Sequence, residues 1–156
     1  MTLLTRFIVC LGLLGACASC SRGPQPPAYT PGLGEIMTLT QMRHAKLWFA
    51  GSESNWPLAA YELDELHEGL ADAGTFHPTH KDAPLGIPAL IEKITRDPLE
   101  QLQKAVDAKN QTAFVPAFDA LSESCNACHR ATNFGFNVVT RPSANTFANQ
   151  IFAPPR

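Results

Sequence analysis

Five consecutive residues near the end of the chain have the types and the spacing for cofactor chemistry: Cys125, Asn126, Ala127, Cys128 and His129. Cys-x-x-Cys-His is the attachment sequence for a c-type haem. Each thiol can add to one vinyl group of the porphyrin, which gives two thioethers, and the adjacent imidazole then lies within reach of the iron. The motif predicts one covalently attached haem c, with Cys125 and Cys128 as attachment residues and His129 as proximal iron ligand.

Other uses of the cysteine pair are less consistent with the sequence around it. A zinc site would need a second pair of Cys or His residues at ligand spacing, and none follows. A thioredoxin-like dithiol lies at the start of a helix after a strand, whereas this pair lies near the end of a helical pattern. A disulfide between Cys125 and Cys128 would leave His129 unexplained.

The N-terminal residues have the pattern of an export signal. Arg6 precedes an apolar run that is followed by small residues, which is the order found in secretory signals. The tetrad ending at Cys17 resembles the lipobox of bacterial lipoproteins, in which this cysteine is acylated. The alternative is cleavage by an ordinary signal peptidase after Ala18. We therefore predict a signal peptide over 1–16, a proline-rich tether over 17–31 and a folded domain over 32–156.

The predicted export signal and the predicted haem motif support each other, because covalent haem attachment takes place outside the cytoplasm. The two patterns come from separate parts of the chain and together predict a periplasmic protein with a lipid anchor. The longest apolar run has eleven residues, too few for the roughly 20 that span a bilayer. Twelve basic against fourteen acidic residues leave no positive excess, so we expect no nucleic-acid partner.

Apolar residues recur at helical spacing in four segments, which predicts four amphipathic helices. They cover Leu33 to Ala50, about Asn55 to Gly74, Ile87 to Lys109, and about Thr112 through the cysteine motif. Pro98 should kink the third helix or restart it. Residues 134–140 have a weak strand pattern, and the link 75–86, which holds His77 and His80, is expected to be a surface loop. The fold prediction is all-α: an up-and-down four-helix bundle with haem on the last helix and an irregular C-terminal tail.

A Cys-x-x-Cys-His motif near the end of the last helix of such a bundle resembles the class II c-type cytochromes, the cytochrome c′ group. The resemblance covers about 32–131 and is specific only at 125–129; the tail over 131–156 has no counterpart, which suggests a separate family on the same plan. It implies the attachment and ligand roles given above, a first helix that faces the distal side of the haem, and, for many members, a homodimer.

Two residues of the first helix are candidates for the sixth iron ligand. His44 lies near the middle of the apolar face, and Met37 lies close to it two turns earlier, whereas Met42 lies on the opposite side. A lone histidine on an apolar face is also a common core residue, and an open or water-bound sixth position is the third option.

Aromatic residues supply candidate haem walls. Those on the helices, which could equally form ordinary core, are Trp48, Trp56, Phe114 and Phe118. Those in the tail, which could fold back over the haem edge, are Phe134, Phe136, Phe147 and Phe152.

The function predicted from these patterns is that of an exported monohaem cytochrome that transfers single electrons between redox partner proteins, rather than that of an enzyme. The main alternative is a five-coordinate haem protein that binds nitric oxide or carbon monoxide. A small haem peroxidase is a further alternative, although the sequence shows no clear distal acid–base pair.

Overall fold

A computed structural model of the chain describes residues 29–80, 83 and 85–156. Four helices account for most of these residues: α1 (Leu33–Ser52), α2 (Trp56–Phe76), α3 (Ile87–Asp107) and α4 (Gln111–Ala131). No strand occurs in the described ranges, so the prediction of an all-α chain with four helices is confirmed. The predicted signal, Cys17 and most of the predicted tether lie outside the described residues.

Asparagine side chains begin two of the helices. Asn55 accepts a hydrogen bond from the N–H of Leu58 at the start of α2, and Asn110 accepts one from Ala113 at the start of α4. Each N-cap satisfies a backbone N–H that has no partner inside the helix. The links before α2 and α4 are only three residues long, so each helix reverses the direction of the preceding one.

α3 runs without interruption through Pro98. A restart at this proline, which the sequence allowed, does not occur. Thr95 and Leu99 on either side of it are buried against the rest of the bundle. Their packing compensates for the backbone hydrogen bond that proline removes.

The half of the bundle around the α1–α2 and α3–α4 links is solidly packed. Its fully buried side chains are Leu47, Leu63, Leu102, Phe114, Phe118 and Leu121. Leu66, which is also fully buried, lies at the boundary with the other half. Trp48 and Trp56 pack on the ring of Phe114, with centroids 6.2 and 6.0 Å away. The four helical aromatic residues therefore form core in this half, and none of them lines the cavity described below.

The C-terminal tail runs back along the helices. The weak prediction of a strand over 134–140 is wrong, because these residues form turns and irregular backbone. Further along, Arg141 pairs with Asp119 of α4 and lies 4.5 Å from the ring of Trp48. Phe152 is buried against Phe49, so the end of the tail belongs to the core of the packed half.

Candidate functional site

The other half of the bundle contains a cavity of about 340 Å³ that is partly open to solvent. Leu66, Leu70 and Ile91 give it apolar walls, and residues of all four helices and the tail line it. A larger groove of about 580 Å³ lies between α2 and α3, but it is more open and contains no thiol. The smaller cavity is the candidate site.

The cavity brings together the residues that the sequence singled out. Cys125, Cys128 and His129 line it from α4, and Met37 and His44 line it from α1. Met42, the third methionine, does not. Segments about 90 residues apart in the chain thus line the same cavity, while the ligand and attachment roles of these residues stay predictions.

His129 has one ring nitrogen tied to the tail. Its Nδ1 lies 2.6 Å from the backbone carbonyl oxygen of Asn137. Because a carbonyl oxygen can only accept, Nδ1 carries the proton and donates it. The lone pair is therefore on Nε2, which is the nitrogen a metal ion would use.

Asn126, between the two cysteines, holds the same part of the tail. Its Nδ2 donates to the carbonyl oxygen of Val139 at 2.8 Å, and its Oδ1 accepts from the N–H of Val139 at 2.7 Å. The N–H of Phe134 donates to the carbonyl oxygen of His129 at 2.7 Å. Sequence reasoning missed this clamp, because an asparagine at a variable position of the motif carries no signal of a distant partner.

His44 is buried, with 3% of its surface exposed. Its Nε2 lies 2.9 Å from Oγ of Ser122, and that hydroxyl donates to the carbonyl oxygen of Phe118. Nε2 therefore donates to Ser122, and the lone pair of the ring is on Nδ1. Burial lowers the pKa of His44 from 6.5 to about 4, so the ring is neutral near pH 7.

Two contacts define the register between α1 and α4. His44 meets Ser122, and Gly51 lies directly against the ring of Phe114. The two helices run in opposite directions, so seven residues back along α1 and seven forward along α4 keep the same faces together. This step leads from His44 to Met37 and from Ser122 to His129. Met37 is thus the α1 residue level with His129, and His44 lies about 10 Å further along the bundle.

The two thiols are protonated near neutral pH. Burial raises the pKa of Cys125 to about 11, and it also raises the pKa of Cys128. Neither residue forms a disulfide. Catalytic dithiols have lowered pKa values, since the thiolate is the nucleophile, so this environment is unlike that of a thioredoxin-type site.

His80 also lines the cavity. Its Nε2 is buried and has no hydrogen-bond partner among the described residues, and its ring lies 5.7 Å from that of Phe134. The loop lies at the surface as expected, since none of its described residues is buried, but this nitrogen of His80 is shielded from water. The hydrogen bond from the N–H of Ile87 to the carbonyl oxygen of Pro78 draws the loop over the end of the bundle. No periodic pattern could show this, because the loop is irregular.

The tail phenylalanines divide between the two halves. Phe134 lines the cavity, whereas Phe147 and Phe152 pack on Phe49 in the solid half. Phe136 is 81% exposed. Of these four residues, only Phe134 lines the cavity, so it is the only one placed to cover an occupant there.

The described part of the chain lacks two further features. Three or more His, Cys, Asp or Glu side chains converge nowhere in it to form a ready metal site. None of its helices has the length and apolar character of a membrane span.

Compared with known proteins, the chain matches no family model, no curated protein and no solved structure. The resemblance to class II c-type cytochromes therefore depends on the motif and the four-helix architecture alone.

Proposed function

We propose that this chain is an exported c-type cytochrome that carries single electrons between redox partner proteins. Cys125 and Cys128 would hold one haem c covalently, and His129 would bind the iron. The observation that supports this most is the hydrogen bond from Nδ1 of His129 to the carbonyl oxygen of Asn137, because it leaves Nε2 as a metal ligand at the wall of the cavity.

The cavity fits this group in two respects. Its apolar walls suit a porphyrin face, and the motif cysteines lie at its edge. Nε2 of His80 is a buried polar atom that an occupant with a polar group, such as a haem propionate, would satisfy. When bound, the haem supplies a reversible one-electron iron couple whose potential depends on ligands and burial.

The register of α1 and α4 favours Met37 over His44 as the sixth ligand. Met37 is level with His129 and lines the cavity, and its thioether has no competing requirement for a hydrogen bond. His44 lies about 10 Å away along the bundle, and because its Nε2 donates to Ser122, only Nδ1 is left to bind a metal ion. Two protein ligands would favour electron transfer over the gas-binding and peroxidase alternatives.

The proposal includes export to the periplasm and lipid attachment at Cys17, since haem ligation occurs outside the cytoplasm. Both follow from the sequence pattern of residues 1–17.

Expression in a host with haem-ligation machinery tests the attachment. The full-length wild type should be red, and its colour should survive acid–acetone extraction. A double variant, Cys125→Ser with Cys128→Ser, should lose the colour on extraction, while Cys20→Ser, outside the motif, should keep it. A colourless wild type, or extractable pigment, would contradict the proposal.

The sixth ligand can be tested by paired methionine variants of the holoprotein. Met37→Ala should convert low-spin iron to high-spin and allow rapid carbon monoxide binding, and the control Met42→Ala should leave the spectrum unchanged. If His44→Gln alone changes the spin state, His44 is the ligand. A high-spin wild type would instead support the gas-binding alternative.

A further inference from the structure

We infer that Asn126 is a positioning residue for the iron ligand: its side-chain amide fixes the 137–139 segment so that the carbonyl group of Asn137 orients His129. This inference rests on the proposed haem function. It assigns a task to a variable position of the attachment motif and to a tail that the resemblance leaves without a counterpart.

The geometry is that of a two-point clamp. The amide of Asn126 both donates to and accepts from the backbone of Val139, at 2.8 and 2.7 Å. Two bonds in opposite directions set the position and the rotation of the Val139 peptide groups. Asn126 is 9% exposed, so water competes little for these bonds.

The distance between Asn126 and His129 on α4 matches the distance between Val139 and Asn137 in the tail. Asn126 and His129 are three residues apart on α4, where such side chains are neighbours at about 5–6 Å. Val139 and Asn137 are two residues apart in an irregular tail segment, and two extended residues span roughly 6.6 Å. The clamp on Val139 therefore brings the carbonyl oxygen of Asn137 to the imidazole three residues further along the helix.

Apolar packing does little to hold this part of the tail. Phe136 and Val138 are 81% and 62% exposed, and Asn137 is exposed as well. The nearby attachments are the backbone bonds of Phe134 and Asn137 that form the turn after α4, and the exposed ion pair of Arg141 with Asp119 two residues beyond Val139. Without the clamp, water would replace the carbonyl oxygen of Asn137 for part of the time as the acceptor of the hydrogen bond from Nδ1 of His129.

The expected consequence is electronic. A hydrogen bond from Nδ1 to a carbonyl group makes the coordinating nitrogen a stronger base, which stabilises the oxidised iron and lowers the reduction potential. Loosening the acceptor should therefore shift the reduction potential to a more positive value. A residue with only a structural role would change stability and leave the potential unaltered.

The experiment compares four forms of the full-length holoprotein: wild type, Asn126→Ala, Asn126→Leu and the control Asn145→Ala. Leucine keeps the number and the branching of the side-chain heavy atoms of asparagine and removes both hydrogen bonds. Asn145 is an exposed tail residue whose side chain accepts a bond from the N–H of Phe147, away from α4. The measurements are redox titration, deuterium exchange of the His129 Nδ1 proton by NMR, and far-UV circular dichroism as a check of helix content.

Both Asn126 variants should keep their helices, show a more positive potential than wild type, and exchange the imidazole proton several-fold faster. Asn145→Ala should match wild type. An unchanged potential and exchange rate in Asn126→Leu would overturn the inference, as would an effect seen in Asn126→Ala alone, which would indicate packing. Loss of haem from Asn126→Leu only would also overturn it, because the residue would then act in attachment. A colourless wild type would contradict the proposed function itself.

Discussion

Replacing His44 with glutamine should change how the stability of the protein depends on pH. In the folded chain burial lowers the pKa of His44 to about 4, against 6.5 for an ordinary histidine. The unfolded chain therefore binds this proton at a higher pH than the folded chain does. The stability associated with neutral His44 is fully present above pH 6.5 and is lost as the pH falls from 6.5 towards 4. A pKa difference of roughly 2.5 corresponds to about 3 kcal/mol.

Urea unfolding of wild type and His44→Gln between pH 4 and 7.5, followed by circular dichroism, measures this term. Glutamine can still donate to Ser122, so the comparison isolates the titration. Burial raises the pKa of Glu62, so this carboxyl group makes stability depend on pH in the opposite direction. Both proteins contain Glu62, and its contribution cancels in the difference. The advantage of wild type over the variant should shrink by about 3 kcal/mol from pH 7 to pH 4. A pH-independent difference would refute the reasoning, because it would mean that His44 has the same pKa in the folded and unfolded chains.

Three further substitutions probe the fold by urea unfolding at pH 7. Gly51→Ala should destabilise the protein by about 1–3 kcal/mol, because a Cβ there would lie 2.1 Å from the ring of Phe114. The control Gly34→Ala, in the same helix but with open space around it, should be neutral or stabilising. Equal effects of the two substitutions would contradict the packing described. Asn110→Ala should cost about 1 kcal/mol through loss of the N-cap of α4, and a change below a few tenths would show that the cap is not used. Arg141→Ala, which removes an exposed ion pair with α4, should cost less than about 1 kcal/mol; a larger loss would mean that the tail depends on it.

The helices could be predicted from the sequence because their signals are local. Apolar spacing located all four, and Asn55, where the second predicted helix begins, is the N-cap of α2. Pro98 shows the limit of such rules: propensity allowed a break, but the burial of Leu99 on one side and Thr95 on the other maintains the helix. Packing across the bundle outweighs a local preference.

The chemical motif could likewise be predicted from the sequence, since Cys125, Cys128 and His129 lie within five consecutive residues and need no folding to be recognised. The periodicity also placed Met37 and His44 on one face of α1, but it could not say which of them lies opposite His129. That depends on how far α1 and α4 are shifted along each other, and only their packing sets this shift.

Tertiary structure alone decided the role of the irregular segments. His80 lies in a loop and Val139 in the tail, and neither segment has a periodic pattern that indicates where it folds. Their positions follow from contacts with residues far away in the chain: His80 with Phe134, and Val139 with Asn126. Local spacing determines helices and motifs because it acts within a few residues, whereas the walls of this cavity are made by contacts between residues more than ten positions apart.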